Sequence, residues 1–135
     1  MKPPVRQRGQ SVLDDRVGRP APRPLVWMGS SKDDISAMPV AVKASFGLRL
    51  YELQGGGTPL DMKPLTQCGG GVHELRDSFD GNAYRVVYVI NLEKALYVLH
   101  AFMKKSRSGI GLPKPDAALI ETRLRRAREL ELRKD

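Results

Sequence analysis

Two apolar stretches separated by a short polar connection constrain this chain more than any other feature. Residues 84–90 are dominated by β-branched and aromatic side chains, which favour β-strands. Residues 95–102 are almost wholly apolar, and the polar residues 91–94 connect the two stretches. Strands with apolar side chains on both faces lie at the centre of a sheet and are covered by helices on at least one side. The sequence therefore predicts two adjacent central strands.

A third strand is predicted just before them, at residues 72–76. It is followed by Asp80-Gly81, a strong signal for a hairpin turn. At the other end, the second apolar stretch stops abruptly at the basic segment Lys104-Lys105-Ser106-Arg107. Three cations where a strand ends indicate a functional surface, because loops that leave a rigid sheet often carry function. The alternative is a solvated edge that discourages aggregation of the sheet.

The sequence of the N-terminal half predicts a strand followed by one or two helices. Residues 24–28 form the strand, and the polar residues 30–34 suit the N-terminus of a short helix. Pro39 suits the first position of a second helix, which the glycines 55–57 end. Residues 58–71 are predicted to form a loop. Helical spacing predicts that the second helix buries Val42, Phe46, Leu50 and Leu53.

Pro115-Asp116 opens a final helix with a narrow apolar stripe and many charged residues. The order of elements predicts an α+β fold, in which an N-terminal helix or helical hairpin and a C-terminal helix pack on a small, mainly antiparallel sheet. Residues 1–23 are rich in proline and basic residues and contain few large apolar side chains. They are predicted to be a disordered basic tail, and residues 24–135 the folded domain.

The composition favours polyanionic partners. The formal net charge is +8, which points to nucleic acid first and to an acidic protein surface second. The alternative is that the charge only keeps a small protein soluble. The longest apolar runs span about five residues, far short of the roughly 20 that cross a bilayer. We expect a cytoplasmic protein with no membrane partner.

Few residues are available for metal or redox chemistry. Cys68 is the only cysteine, and the chain has two histidines, too few for a usual zinc site. We therefore expect no metal and no cofactor. A cationic surface can instead act on RNA, where the ribose 2′-hydroxyl attacks the neighbouring phosphate and fixed cations stabilise the charge that develops.

Arg85 and the basic segment are the candidates for that stabilisation. Arg85 lies in the first central strand, where a rigidly mounted guanidinium can grip a phosphate. The alternative is a structural ion pair with Glu74 or Asp77. His73 is a candidate for proton transfer, although a surface histidine without a task fits its position equally well. His100, predicted to share a face with Leu96, Val98 and Phe102, is interpreted as a buried, hydrogen-bonded histidine.

At these residues the chain resembles the phage-derived branch of the RelE/ParE toxin superfamily, and within it the HigB-like toxins of type II toxin–antitoxin systems. The most specific motifs are Glu74-Leu75-Arg76, Tyr84-Arg85 and the segment LHAFMKKS at 99–106. The similarity extends over about residues 24–132. It implies a compact sheet with helices on one side and ribosome-dependent endoribonuclease cleavage of mRNA.

By position, the resemblance makes Arg85, Lys104, Lys105 and Arg107 catalytic, and Lys63 and Arg76 further cations that line an RNA-binding cleft. It also implies the partners: a cognate helix-turn-helix antitoxin, the ribosome and mRNA, with operator DNA contacted only through the antitoxin. The chain departs from the pattern at residues 110–112, where Ile-Gly-Leu can do no proton chemistry. Two other functions therefore stay open: a non-catalytic inhibitor of DNA gyrase, and a nucleic-acid-binding accessory protein of a mobile element.

Overall fold

The computed structural model describes residues 22–104 and 111–133, together with the backbone of two short strands nearer the N-terminus. The helices are α1 (Ser31–Ser36), α2 (Val40–Gln54) and α3 (Lys114–Leu132), with a 3-10 turn at Thr66–Cys68. The strands are β1 (Leu13–Asp14), β2 (Arg19–Pro20), β3 (Leu25–Trp27), β4 (Lys63–Pro64), β5 (Val72–Phe79), β6 (Asn82–Val89) and β7 (Leu96–Lys104).

The main sheet has five strands in the order β3-β7-β6-β5-β4. Strand β3 runs parallel to β7, and the other neighbours are antiparallel. Strands β1 and β2 form a separate antiparallel pair. The predicted α+β fold, with a mainly antiparallel sheet and helices from both ends of the chain packed on it, is confirmed.

The turn between β5 and β6 follows directly from its two residues. Asp80 and Gly81 both have positive φ angles, 53° and 80°, as a two-residue turn of type I′ requires. Phe79 then pairs with Asn82, and the register runs without interruption back to Val72 and Val89. The predicted hairpin is therefore confirmed, and β5 extends three residues beyond the predicted strand.

Each face of the sheet carries its own core. On one face, which we call the α2 face, the side chains of Leu75, Val86, Tyr88 and Val98 pack against α1 and α2. The buried residues of α2 are the predicted Val42, Phe46, Leu50 and Leu53. On the other face, the α3 face, the side chains of Val72, Val87, Val89 and Leu99 pack against Ile120, Leu124 and Ala127 of α3.

The sheet therefore has helices on both sides, and the implied arrangement with helices on one side is wrong. The physical reason lies in β6 and β7, where nearly every residue is apolar. Both sides of these strands would be exposed to water unless a helix covered each face.

A β-bulge in β7 changes which face His100 occupies. Val87 pairs with His100, whereas the next residue, Tyr88, pairs with Val98, so Leu99 is an extra residue on β7. An extra residue reverses the alternation of side chains beyond it. His100 therefore lies on the α3 face. The prediction that it shares a face with Leu96 and Val98 is wrong, because strict alternation does not allow for a bulge.

The segment 58–71, predicted to be a loop, contains β4 and the 3-10 turn. Lys63 and Pro64 pair with Glu74 and His73, and the backbone N–H of Leu65 donates to the carbonyl of Val72 at 2.8 Å. This strand completes the sheet beside β5. It is only two residues long, too short to produce the alternation by which strands are recognised in a sequence.

The chain enters the folded domain at Arg23. Its guanidinium Nη1 donates to the carbonyls of Ile90 and Leu92 at 3.0 and 2.9 Å. Its backbone N–H donates to the backbone carbonyl of Gln54 at 2.9 Å. Of the predicted tail, 1–23, the structure describes residues 22 and 23 and the backbone of β1 and β2. The rest of the tail lies outside the described residues. In the described part of the chain, no helix is both long enough and apolar enough to cross a membrane.

The C-terminal end of α3 is attached to the connection between β6 and β7. The carboxylate of Glu131 accepts hydrogen bonds from the backbone N–H groups of Glu93 and Lys94 and from the hydroxyl of Tyr97. Burial and the bond to Glu131 raise the pKa of Tyr97 to about 12. Burial alone would raise the pKa of Glu131 as well, but these hydrogen bonds hold it below the ordinary value.

Candidate functional site

The strand register brings four cations to the same side of the sheet. Lys63 on β4 lies opposite Glu74 on β5, and Arg76 on β5 lies opposite Arg85 on β6. Lys104 on β7 lies two residues beyond the partner of Arg85, on the same side of the pleat. Directly opposite residues share a face, and this is the α3 face. We call the set Lys63, Arg76, Arg85 and Lys104 the cation face.

Glu74 lies at the centre of the cation face. Its Oε2 accepts hydrogen bonds from Nε and Nη2 of Arg76 at 3.2 and 3.0 Å. Its Oε1 lies 3.4 Å from Nε of Arg85 and accepts no hydrogen bond from any residue that the structure describes. Of the two roles considered for Arg85, the structural ion pair is therefore present in the fold. One carboxylate holds two guanidinium groups side by side.

The two arginines differ in their access to solvent. The side chains of Arg85 and Glu74 are each only 4% exposed, whereas the side chain of Arg76 is 49% exposed. Glu74 engages Nε and Nη2 of Arg76, and Nη1 takes no part in that interaction. Arg76 is therefore better placed than Arg85 to contact a phosphate that approaches from solvent.

Electrostatic repulsion within the cation face affects Lys104. Burial lowers the pKa of Lys104, and the positive charges of Arg85 and Arg76 lower it further, while Glu74 opposes them. Burial also lowers the pKa of Arg85. A group of cations that disfavour one another is stabilised by an anion, so this side of the sheet is suited to bind a phosphate.

Two of the predicted site residues, Lys105 and Arg107, lie outside the described residues. A third, His73, is on the other side of the sheet. It is opposite Tyr88 on the α2 face, its Nδ1 lies 3.2 Å from the carbonyl oxygen of Gly71, and its ring stacks on that of Tyr88 at 6.1 Å. The sheet therefore separates His73 from the cation face.

His100, in contrast, lies on the α3 face beside the cations. Its Nε2 is 2.6 Å from Oδ1 of Asp116, and its ring stacks on Phe102 with the centroids 4.7 Å apart. Nη1 of Arg123 donates to the carbonyl of Leu99 at 3.0 Å and lies 3.4 Å from Nδ1 of His100. The carboxylate of Asp116 and the guanidinium of Arg123 therefore hold the ring from its two nitrogens.

This arrangement attaches the first turn of α3 to β7 and is consistent with a buried, hydrogen-bonded histidine. The sequence did not identify Asp116 and Arg123 as its partners. Asp116 lies in the first turn of α3, where acidic residues are common as helix-stabilising groups. That position alone gave no signal of a contact with β7. In the described part of the chain, no group of three or more His, Cys, Asp and Glu is arranged to hold a metal ion.

A family model described as phage derived protein Gp49-like (DUF891) matches residues 33–125, which is more than half of the chain. The match runs from α1 into α3 and includes β4 to β7, and with them the whole cation face. The chain belongs to the Gp49-like family. This family is associated with RelE/ParE-like toxins, and membership is compatible with a toxin of a toxin–antitoxin system. Among curated proteins, none matches this Gp49-like chain.

Within the Gp49-like domain, the resemblance placed Lys63, Arg76, Arg85 and Lys104 in one cleft, and the fold brings these four to one face. What the sequence did not indicate is the difference between the two arginines. Arg76 and Arg85 are direct neighbours across two strands, yet one is exposed and the other is enclosed. Their exposure depends on how distant segments of the chain pack around the face, which no local pattern encodes.

Proposed function

We propose that this Gp49-like chain is a HigB-like toxin of a type II toxin–antitoxin pair, and that it cleaves mRNA on the ribosome at a phosphate bound to the cation face. The observation that carries the proposal is the convergence of Lys63, Arg76, Arg85 and Lys104 on one side of the sheet. The family association and the net charge of +8 support it. Lys105 and Arg107 follow Lys104 in the chain and extend the same basic segment.

In the proposed reaction, the ribose 2′-oxygen forms a bond to the adjacent phosphorus and gives up its proton to a water molecule. The bond between phosphorus and the 5′-oxygen of the next nucleotide breaks, and that oxygen takes up a proton. The products are a 2′,3′-cyclic phosphate and a 5′-hydroxyl end. Negative charge accumulates on the phosphorus oxygens between these events, and fixed cations stabilise that state more than the starting phosphate.

Three members of the cation face have distinct parts in this scheme. Arg76 is exposed and is proposed to bind the phosphate oxygens directly. Lys104, whose pKa is lowered by burial and by both arginines, is proposed to donate the proton to the departing oxygen. Arg85 and Glu74 are enclosed, and their part is to hold Arg76 in place and to contribute fixed charge.

Mapping RNA ends after induced expression tests the proposal. We expect primer extension to show new breaks within translated mRNA, with 5′-hydroxyl ends that polynucleotide kinase can label directly. Intact mRNA together with a loss of plasmid supercoiling would contradict the proposal and favour inhibition of DNA gyrase. Growth and mRNA that both stay unaffected would favour the accessory nucleic-acid-binding protein.

A further inference from the structure

Helix α2 carries apolar side chains on its solvent side as well as on its buried side. Val40, Leu48 and Tyr51 are 76%, 72% and 67% exposed. With Ala44, which is also exposed, they recur at intervals of four, four and three residues, so they share one side of the helix. We call Val40, Ala44, Leu48 and Tyr51 the outer strip. A helix that is apolar on both sides is typical of one covered by another structure.

A groove adjoins the outer strip, between α2 and the edge strand β3. It encloses about 240 Å³, and its walls include the side chains of Trp27, Ile35 and Leu50. Gly47 forms part of its rim, and no heavy atom lies within 4 Å of the position where a Cβ would stand. A partner backbone can therefore approach closely here, and the groove is large enough for a single apolar side chain.

The charge around the groove indicates what kind of partner fits. Lys32 and Lys43 line it, and no carboxylate does so among the described residues. Within the described ranges, the one hydrogen bond of Lys43 is to a neutral group, the carbonyl of Ser36, at 3.3 Å. The complementary surface therefore has an apolar side chain for the groove and acidic side chains for the two lysines.

We infer that the outer strip and the adjoining groove bind an acidic amphipathic helix of a partner protein, which is the antitoxin if the proposed function is correct. A second copy of this chain fits less well. Two chains of net charge +8 repel each other, and four residues of one helix fall short of the roughly 800 Å² per partner that a stable dimer buries. An acidic helix, in contrast, is attracted by the same positive net charge that makes two copies of this chain repel each other.

This surface lies on the opposite side of the sheet from the cation face. Helix α2 packs on the α2 face, together with Leu75 and Val86, whereas Arg76 and Arg85 point towards the α3 face. A partner helix on the outer strip therefore leaves the cations uncovered. Binding of the partner and contact with phosphate should be separable by mutation.

The test uses the full chain and, as its probe, the purified protein encoded by the reading frame next to the toxin gene. Replacing Leu48 and Tyr51 together by glutamate should weaken the complex by about 100-fold, because charged groups would replace two central apolar contacts. The matched control is Leu132→Glu at the end of α3, where a leucine of similar exposure, 82% against 72% for Leu48, lies outside the strip. The control should leave the dissociation constant within a factor of about two of the wild-type value.

Cleavage activity separates this inference from the proposed function. L48E/Y51E should cut RNA at the wild-type rate and show an unchanged thermal melt, since neither residue belongs to the core or to the cation face. A variant that still binds the probe as tightly as the wild type would overturn the inference while leaving the nuclease proposal intact. A wild type that sediments as a dimer and a variant that sediments as a monomer, both with unchanged affinity for the probe, would overturn it as well.

Discussion

Replacing Arg85 by methionine should destabilise the fold, because it leaves the carboxylate of Glu74 enclosed without one of its two counter-charges. Both side chains are 4% exposed, so water cannot substitute for the lost guanidinium. Removing one partner of a buried ion pair costs about 3–5 kcal/mol. Arg76 keeps its two hydrogen bonds to Oε2 of Glu74, which places the expected cost at the lower end, about 3 kcal/mol. For a domain of this size, that corresponds to a fall in melting temperature of about 12 °C.

Urea unfolding of three variants measures this cost. Arg76→Met removes both hydrogen bonds to the same enclosed carboxylate but leaves Arg85 beside it, and it should cost about 1–3 kcal/mol. The double variant with Arg85→Met and Glu74→Gln should recover about half of the loss, because the residual buried group is then neutral. A free energy of unfolding for Arg85→Met within about 1 kcal/mol of wild type would refute the interpretation of Arg85 and Glu74 as a stabilising pair.

Three further predictions concern other parts of the molecule. The pKa of Glu131 is lower in the folded state than its unfolded value of about 4.3. Its contribution to stability is therefore present above that value and is lost as pH falls through the folded pKa. Glu131→Gln should lower the stability to urea at pH 7, where Tyr97 donates to the charged carboxylate, and should have little effect near pH 2. Gly71→Ala should lower the melting temperature by several degrees, because φ is +83° and a Cβ would overlap the side chain of Asn91. His73→Ala should leave the cleavage rate within a factor of about two of wild type, because the sheet separates it from the cation face; a loss of about 100-fold would contradict that placement.

The parts of the fold that depend on local chemistry were predictable from the sequence. Asp80-Gly81 specifies a two-residue turn because both positions tolerate positive φ, and the hairpin register follows from it. The buried positions of α2, such as Phe46 and Leu50, follow from helical periodicity. In β6, the β-branched and aromatic residues on either side of Arg85 correctly indicated a central strand.

The remaining features depend on contacts between distant segments. The bulge at Leu99 moves His100 to the other face, and nothing in the local pattern of β7 marks an extra residue. Strand β4 exists because β5 offers it an edge, not because Lys63 and Pro64 favour a strand. The difference in exposure between Arg76 and Arg85 is likewise set by the fold. The outer strip on α2 has the apolar composition of a second core face, and only the exposure of residues such as Leu48 in the fold distinguishes the two.

The central claim is that exposed cations on the α3 face bind the phosphate that is cleaved, and a matched pair of arginine variants tests it most directly. Arg76 and Arg126 are 49% and 48% exposed, and each forms a salt bridge with a glutamate. They differ in location, since Arg76 belongs to the cation face and Arg126 lies towards the C-terminal end of α3. Replacing either by alanine removes the same charge from the surface.

The measurement is the rate of mRNA cleavage on programmed ribosomes, with a thermal melt for each variant. Arg76→Ala should lower the rate by about 100-fold or more, as expected for the loss of a preorganised cation from a charged transition state. Arg126→Ala should stay within a factor of about three, the effect of net charge alone. If folded Arg76→Ala cuts at the rate of Arg126→Ala, the cation face is not where the phosphate is cleaved.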